Sequence, residues 1–197
     1  EVDELCSMGF YDTVCEILDS IEHPCQYCLC SATIDAHVKA LADRYAKSYE
    51  TVSVQEDKLK NSFINELYIT ENEERLSFLW KLLLHEVSSS TIIFCNTREV
   101  SETLYHTIKK RLKQVVLYHG ALNQQQRENE LAKFYRGEAQ IMVATDIAAR
   151  GLDIEKVETI INYELPENAV RFLHRAGRSG RGKESGHVIT LAEERDK

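Results

Sequence analysis

Residues 141–146, with the sequence IMVATD, decide the fold class of this 197-residue chain. Four apolar residues follow one another without interruption, and a hydroxyl and a carboxylate come directly after them. The same pattern recurs in TIIFCNT at residues 91–97 and in VVLYH at residues 115–119. Short continuous apolar runs of this kind are typical of strands buried on both faces, as in a parallel sheet that helices cover.

Segments with helical spacing separate these runs. Leu76, Leu79, Trp80, Leu83 and Leu84 recur at intervals that predict one apolar helix face. The alternation of strands and helices predicts an α/β fold, with a parallel sheet flanked by helices on both faces. A polar stretch without a helical stripe predicts a linker at residues 49–61. The predicted helices lie at residues 11–22, 35–46, 76–84, 100–108, 124–136 and 168–176, and the predicted strands at residues 26–30, 63–69, 91–95, 115–118, 141–144, 159–163 and 188–191.

The composition excludes several classes of protein. With 43% hydrophobic residues, 2 Pro and 8 Gly, the chain is too apolar to be disordered and too poor in Pro and Gly to be collagen-like. No apolar run approaches the length of about 18 residues that predicts a membrane span. Residues 1–4, EVDE, lack the basic start and apolar stretch of a secretory signal. We therefore expect an intracellular protein, cytoplasmic first, with the nucleus or an organelle as alternatives.

The six cysteines do not form the pattern of a disulfide framework in a chain of this kind. Cys25, Cys28 and Cys30 cluster within six residues, after His23. A structural zinc site usually takes two spaced pairs of ligands, and the second pair is missing here. The favoured interpretation is a short buried strand in which cysteine packs as a small hydrophobic residue. We therefore expect a reducing compartment and no metal site.

The strongest chemical signal is HRAGRSGR at residues 174–181, which contains three arginines and two glycines. Arginine presents a rigid fork of donors that matches phosphate, and glycine lets the backbone approach a ligand closely. This pattern is compatible with arginines that act on a transferring phosphate. A solvated basic loop is the alternative interpretation.

Two further polar segments directly follow predicted strands, where ligands bind in parallel α/β sheets. Residues 144–154, ATDIAARGLDI, place a hydroxyl, two carboxylates and a glycine there. A carboxylate suits a ribose hydroxyl better than a phosphate, while ordinary helix capping is the alternative. In the second segment, His119-Gly120 precedes Gln124 and Arg127, which lie one helical turn apart. That pair suits a phosphate at a helix N-terminus, and a solvated helix start is the alternative.

The order and spacing of these segments resemble the DEAD-box family of ATP-dependent RNA helicases, in superfamily 2, across essentially the whole chain. Residues 1–3, EVD, resemble the last three letters of the Asp-Glu-Ala-Asp box, with Val2 in place of Ala. The other motifs follow in the family's order: SAT at residues 31–33, IFCNT at residues 93–97, the pair Gln124 and Arg127, the fifth motif at residues 144–154, and the sixth at residues 174–181, with Ala176 where Ile is usual.

The resemblance implies two RecA-like domains. Residues 1–48 are then the C-terminal remnant of the first, ATP-binding domain, and residues 49–61 are the linker. Residues 62–197 are the second, helicase C-terminal domain. ATP and RNA are expected to bind across the cleft between the two domains.

The resemblance also implies roles for individual residues. Glu1 is expected to position or activate the attacking water, and Arg178 and Arg181 to act as arginine fingers on the γ-phosphate. Gly151 and Asp153 are expected to hold the ATP ribose. The residues expected to couple the domains are Asp3, Ser31, Thr33, His174 and Arg175, and those expected to contact the RNA backbone are Asn96, Thr97, Arg98, Gly120, Gln124, Arg127 and Thr145.

The implied cofactors are ATP and Mg²⁺, both held mostly by the part of the first domain that precedes Glu1. The sequence contains no G-x-x-x-x-G-K-[ST] phosphate loop, and the first Asp of the box is missing from it. We therefore predict that this chain alone is inactive as an ATPase and that the intact protein is the enzyme. One alternative is a non-catalytic module that docks proteins or RNA. Another is a DEAH-type or DNA helicase, although the DEAH type has His where Asp3 stands.

The charge distribution bears on the partner. The formal net charge is −8, which by itself argues against nucleic acid. Yet residues 96–150 carry a net charge of +3 and residues 168–187 one of +4, and both hold the phosphate and RNA motifs. We expect RNA to be bound through about five or six phosphates at most, with a salt slope of roughly 0.7 for each. We also expect binding with little sequence specificity, because phosphate contacts do not read the bases. The other expectations are protein cofactors, no membrane association and a monomeric state.

Overall fold

The computed structural model describes residues 1–46, 48–53, 63–71, 74–86, 90–146, 157–179 and 186–194. The chain folds into two compact units, Glu1–Val54 and Gln55–Lys197, and the boundary between them falls inside the predicted linker. No helix in the described part is long and apolar enough to cross a membrane.

The described part of unit 1 is helical. Asp35 caps the third helix, because its carboxylate accepts a hydrogen bond from the Val38 N–H at 2.9 Å. Cys6, Cys15 and Leu41 form a small core between the helices. The helices are α1 (Val2–Ser7), α2 (Tyr11–Asp19) and α3 (Ala36–Tyr45).

The predicted strand at residues 26–30 is wrong. This segment has no regular secondary structure and pairs with no strand in the described part of unit 1. Its backbone contact with α1 is limited to the Cys30 carbonyl, which accepts from the Glu1 and Val2 nitrogens. Cys25, Cys28 and Cys30 are exposed, so the interpretation of buried packing is also wrong. Alternation of apolar residues makes a strand only where a partner satisfies its backbone groups.

Unit 2 is built on a parallel sheet. Its described strands are β1 (Phe63–Ile69), β2 (Thr91–Cys95), β3 (Val115–Tyr118), β4 (Ile141–Thr145), β5 (Thr159–Asn162) and β6 (Gly186–Ala192). Across the described residues, the strand order is β1-β6-β5-β2-β4-β3. β2 lies in the interior of the sheet, where Ile93 is in register with Ile161 of β5 on one side and with Val143 of β4 on the other.

Side-chain caps define where the helices of unit 2 begin. Thr97 accepts from the Val100 N–H, and Asn168 accepts from the Arg171 N–H. Asn123 forms a reciprocal capping box with Gln126. The described helices are α4 (Arg75–Glu86), α5 (Arg98–Lys109), α6 (Gln124–Tyr135) and α7 (Ala169–Ala176).

Helices cover both faces of the sheet. On one face, Ile93 packs with Leu79 of α4 and with Leu104 of α5. On the other face, Phe94 packs in a core with Phe134 of α6 and with Ala176 of α7. Neighbouring residues of β2 therefore point to opposite cores, which accounts for its uninterrupted apolar sequence. The predicted α/β architecture is confirmed.

The predicted apolar face of α4 is correct except at its end. Leu79 and Leu83 are buried, whereas Leu84 is 76% exposed. In an α-helix successive residues are rotated by about 100°, which turns Leu84 away from the stripe that Leu79 and Leu83 form. Leucine content alone therefore overestimated the width of the buried face.

Candidate functional site

Polar side chains collect at the carboxyl ends of four neighbouring strands of unit 2. Asn162 ends β5, Asn96 follows β2, Asp146 follows β4 and His119 follows β3. These strands are consecutive in the sheet order. Because parallel strands end at the same edge, the sheet brings together segments that are far apart in the sequence.

Arg175, in the last turn of α7, is the most deeply buried charged side chain at this edge, with 1% of its surface exposed. Its Nε donates to Asp146 Oδ1 at 2.6 Å, and its Nη2 donates to Asp146 Oδ2 at 2.7 Å. This two-point geometry is the strong form of an arginine–carboxylate pair. Asp146 is itself 9% exposed, so the two charges neutralise each other inside the protein.

The three remaining N–H groups of Arg175 also have acceptors. Nη2 donates to Asn96 Oδ1 at 2.7 Å, while Nη1 donates to Asn162 Oδ1 at 3.1 Å and to the Glu164 carbonyl at 3.2 Å. All five donors of the guanidinium are thus used within unit 2. Arg175 ties the ends of β2, β4 and β5 to α7.

This geometry changes the interpretation of Arg175. The resemblance to the helicase family assigns Arg175 to coupling between domains, which requires groups that reach beyond the unit. Its donors are all engaged inside unit 2, so it acts through the loop ends that it holds. Arg171, one turn earlier, lies at the margin of the same cluster, with Nη1 2.9 Å from Glu167 and 3.9 Å from Asp146.

Asn96 and Thr97 lie at the same edge, and their side chains serve the fold. Besides accepting from Arg175, Asn96 donates from Nδ2 to the Leu165 carbonyl at 3.0 Å, and its backbone N–H donates to Glu164 at 2.8 Å. Thr97 caps α5. Thr145 is buried at the end of β4. The side chains of Asn96 and Thr97 thus have hydrogen-bonding roles in the fold, and Thr97 is also exposed.

The other predicted RNA contacts are more open. Arg98 keeps 60% of its side chain exposed and donates from Nε to Glu102 at 2.7 Å. The Gly120 carbonyl accepts from Arg127 Nη2 at 2.6 Å. Gln124 is exposed and donates to Glu128 at 2.8 Å. Within the described structure, the buried Nε of Arg127 has no hydrogen-bond partner.

His119 is a buried histidine next to these residues, with 4% of its surface exposed. Its Nδ1 accepts from the Ala121 N–H at 3.2 Å, and its Nε2 lies 3.2 Å from Glu102. Burial lowers the pKa of His119, and the partly compensating effect of Glu102 does not reverse this. His119 is therefore neutral at pH 7, with its proton on Nε2.

Of the sixth motif, residues 174–179 are described. Arg178 is half-buried, and its Nε donates to the His174 carbonyl at 3.3 Å. The buried Ser179 donates to the Glu158 carbonyl at 3.0 Å and pairs in a bridge with Val157. Arg181, and the expected ribose contacts Gly151 and Asp153, lie outside the described residues.

Unit 1 has its own buried charge, Asp3, with 3% of its surface exposed. Its Oδ2 accepts from the Thr33 N–H at 2.9 Å and from the Thr33 hydroxyl at 2.8 Å, and its Oδ1 accepts from the Glu4 N–H at 3.0 Å. The Asp3 N–H donates to Ser31 Oγ at 3.1 Å. Glu1 is exposed at the start of α1. The structure thus joins Asp3 to Ser31 and Thr33, three residues that the motifs single out.

Two opposing influences set the pKa of Asp3. Burial is the largest single one, and it raises the pKa. The hydrogen bonds involving Thr33, Ser31 and Glu4 together outweigh it, so the pKa of Asp3 lies below its ordinary value. Asp3 is therefore a carboxylate at neutral pH.

Comparison with known proteins identifies the family. Residues 74–183 match the model of the helicase conserved C-terminal domain. Over 198 residues, the whole of this chain is 33% identical to eukaryotic initiation factor 4A of Caenorhabditis elegans, covering 49% of that protein. It is also 35% identical, over 199 residues, to the DEAD-box ATP-dependent RNA helicase CshA of Bacillus subtilis, covering 40% of that protein.

The chain belongs to the DEAD-box family.

The structural comparison agrees with this assignment. Dbp5 of Saccharomyces cerevisiae, solved with RNA and ADP BeF3, superposes with a TM-score of 0.73 at 26% identity. The match covers 83% of this chain and 44% of that one. The chain spans half or less of the length of the curated relatives named above.

The DEAD-box family implies a magnesium ion with the nucleotide. Among the described residues, no three histidine, cysteine, aspartate or glutamate side chains come together in a way that could hold a metal ion. The oxygens of Asp3, which stands at the last position of the box, accept hydrogen bonds from Thr33 and Glu4. The donor set of the described residues therefore does not by itself form a magnesium site.

The sequence motifs did not single out several residues that lie at or beside the carboxyl ends of the strands in unit 2. Asp146 was noted only as part of a motif, and Asn162, Glu164 and Glu102 were not singled out. A signal was available for Asn162, which is a polar residue inside the otherwise apolar strand sequence TIINY at residues 159–163. Its full burial requires partners, and these are Arg175, which donates to its Oδ1, and Thr190, which accepts from its Nδ2.

Proposed function

We propose that this chain is part of an ATP-dependent RNA helicase, which couples ATP binding and hydrolysis to RNA binding and local unwinding of duplexes. One observation carries the proposal. The expected RNA contacts follow β2, β4 and β3, which are neighbours in the sheet, so they form one continuous edge. Family membership supplies the chemistry for which this edge is suited.

The edge is suited to a phosphate backbone. α5 begins at Arg98 and α6 at Gln124, and helix N-termini favour anions. Arg98 is exposed there and Arg127 is partly exposed, so both guanidinium groups offer donors to phosphate oxygens. Contacts of this kind give little sequence specificity, so we propose RNA binding that is largely independent of sequence.

For ATP, the proposal assigns Arg178 and Arg181 as arginine fingers, and Gly151 and Asp153 as ribose contacts. The half-buried guanidinium of Arg178 is a donor group that matches phosphate. Bound ATP supplies the phosphoanhydride bond that is cleaved. Exposed Glu1, next to Asp3, is the proposed residue that positions the attacking water.

Coupling between the two domains is assigned to both units. In unit 1, Asp3 fixes Thr33 and Ser31 in a single hydrogen-bonded group. In unit 2, Arg175 is a positioning residue that holds three strand ends, and His174 precedes it in the chain. We propose that His174 is the group of this pair that reaches the other domain.

The test is RNA-stimulated ATPase activity of the longer protein that contains this chain. Replacement R181A should lower the turnover rate by about 10³-fold or more, because an arginine finger stabilises charge in the transition state. R136A is the matched control, since it removes an exposed arginine at the end of α6 without affecting the proposed sites. Turnover of R181A within about threefold of wild type would show that the finger assignment is wrong.

A second measurement concerns the 197-residue chain itself. Because it contains no phosphate loop, we expect no ATP hydrolysis by this chain above background, with or without RNA. Phosphate release is the readout, and RNA binding measured in parallel checks that the protein is folded. RNA-stimulated turnover by the isolated chain would contradict the proposal that ATP hydrolysis requires the phosphate loop of the longer protein.

The proposal extends to surroundings and partners. We propose a monomeric protein in a reducing intracellular compartment, assisted by protein cofactors. Free thiols at Cys25, Cys28 and Cys30 are exposed in the structure, which agrees with a reducing environment. Light scattering of the purified chain tests the oligomeric state.

A further inference from the structure

The carboxylate of Glu102 lies between two of the segments that form the proposed RNA edge. Its Oε1 accepts from Arg98 Nε at 2.7 Å and lies 3.2 Å from His119 Nε2. Arg98 is one helical turn before Glu102 on α5, whereas His119 follows β3. One carboxylate oxygen therefore joins a helix start to a turn on a different strand.

The contact with His119 does not require a charged imidazole. Nδ1 accepts the Ala121 N–H, so the neutral ring carries its proton on Nε2, which faces Glu102. The nitrogen that carries this proton lies 3.2 Å from the carboxylate, so the two groups attract each other electrostatically. The turn at residues 119–121 is thus fixed from two sides, by its own backbone and by Glu102.

The network continues to the next motif. Gly120 follows His119 directly, and its carbonyl accepts from Arg127 Nη2 at 2.6 Å. Arg98, Gly120 and Arg127 are three of the residues assigned to the RNA backbone. Glu102 touches one of them directly and reaches the other two through His119.

The charged groups around Glu102 and around its neighbour His119 come from three elements. Arg98 and His106 lie on α5, Arg127 lies on α6, and His119 lies after β3. The hydrogen bond from Arg98 is the main reason that the pKa of Glu102 is lowered. Glu102 is therefore a full negative charge at neutral pH, close to groups assigned to bind phosphate.

We propose that Glu102 is a positioning residue for RNA binding, which sets the guanidinium of Arg98 and the turn at His119 in the geometry that receives the RNA backbone. This inference rests on the proposed function. Glu102 itself does not touch the RNA in this account. It acts through the two side chains that it holds.

For the removal of Glu102, the proposal predicts a change in RNA affinity opposite to that expected from charge repulsion alone. A negative charge beside a phosphate site repels RNA, so removing a carboxylate that has no other role should strengthen binding. Removing Glu102 should instead weaken binding, because Arg98 loses its acceptor and His119 loses the carboxylate that lies beside its Nε2. The direction of the change therefore separates the two explanations.

The experiment measures the affinity of the 197-residue chain for a fluorescent oligouridine at fixed low salt. E102A should bind about threefold to tenfold more weakly than wild type, which is the scale of one displaced phosphate contact. E99A is the matched control, because Glu99 is an exposed carboxylate in the first turn of the same helix. E99A should bind as tightly as wild type or more tightly. Equal or tighter binding by E102A would overturn the proposal.

A second set of variants tests whether Glu102 acts through Arg98. E102Q retains an oxygen that can accept one hydrogen bond, so its loss of affinity should be smaller than that of E102A. In an R98A background, the effect of E102A should shrink, since part of its target is already absent. Full additivity of the two replacements, together with unchanged behaviour of His119, would contradict the positioning role.

The imidazole ¹⁵N signals of His119 give a readout that does not depend on RNA. In wild type they should show a neutral ring protonated on Nε2, and E102A should lower the pKa of His119 further, since Glu102 raises it. Failure of wild type to bind RNA would count against the proposed function and leave this measurement interpretable. An unchanged His119 pKa in a folded E102A or E102Q protein would overturn the inference about Glu102.

Discussion

Arg175 in unit 2 and Asp3 in unit 1 are both buried charges, and they are stabilised in different ways. Arg175 faces an opposite charge, Asp146, and its other donors are satisfied by oxygens. Asp3 instead receives hydrogen bonds from the neutral Thr33 hydroxyl and from the backbone N–H groups of Thr33 and Glu4. One charge is balanced by a fixed partner, and the other by dipoles.

The difference determines what each cluster responds to. Arginine stays protonated throughout the usual pH range, so the charge of Arg175 itself does not change with pH. The carboxylate of Asp3 can be neutralised by a proton, after which its hydrogen bonds lose their charge-assisted strength. The buried charge of Arg175 in unit 2 is therefore permanent, whereas the buried charge of Asp3 in unit 1 depends on pH.

The largest effect is expected from R175A. The replacement leaves Asp146 buried without its partner, which should lower the free energy of unfolding of unit 2 by about 3–5 kcal/mol. Urea denaturation followed through Trp80 is a suitable measurement, because Trp80 is the single tryptophan of the sequence and lies in unit 2. A decrease in the free energy of unfolding below about 1 kcal/mol would show that Arg175 does not hold the strand ends together as the geometry indicates.

The next effect in size is expected from D3N. An asparagine in place of Asp3 removes the charge and brings amide donors towards the donors of Thr33, at a cost of about 1–3 kcal/mol to unit 1. Hydrogen exchange of the α1 amides in the whole chain reports this local loss. D12N is the control, because Asp12 is an exposed carboxylate on α2. Equal protection in the two variants would contradict the assigned role of Asp3.

Acid should affect unit 1 through the same residue. Since the pKa of Asp3 is lowered in the folded state, ionised Asp3 stabilises the fold above the unfolded pKa of about 3.9. This contribution is lost as the pH falls through the folded pKa. T33V removes a hydroxyl donor, so it should raise the Asp3 pKa and reduce the stabilisation. A ¹³C titration of the carboxyl tests both statements, and an Asp3 pKa above the ordinary value would contradict them.

The smallest effect is expected from R171A, which probes the margin of the Arg175 cluster. Arg171 lies 3.9 Å from Asp146, and its closer partner is the exposed Glu167. The loss in stability should stay below about 1 kcal/mol, as is usual for a partly exposed pair. The measurement is the same Trp80 denaturation as for R175A. Similar losses for the two arginines would remove the distinction between core and margin.

The sequence was sufficient to predict the sheet because its signal is local. Every strand predicted from Phe63 onwards is present, since an apolar run buried on both faces has few alternatives. The segment at residues 26–30 failed because a strand also needs a neighbour, and its own sequence carries no information about that neighbour.

The candidate site was predictable to a different extent. Motif spacing placed Asn96, His119 and Arg175 near one edge, because strand ends are fixed by the fold. It could not show that Arg175 spends all five donors inside unit 2, or that Glu102 joins Arg98 to His119. Such pairings depend on the register and rotamers of residues that are distant in sequence.

The cysteines of the two units differ in how fast a thiol reagent can reach them. Cys25, Cys28 and Cys30 are exposed, while Cys95, one residue before Asn96, is buried in β2 with its thiol pKa raised by burial. A thiol reagent should therefore modify unit 1 at once and reach Cys95 only when β2 opens. The rate at which Cys95 is labelled would therefore report how often β2 opens, and Arg175 holds the end of this strand through Asn96.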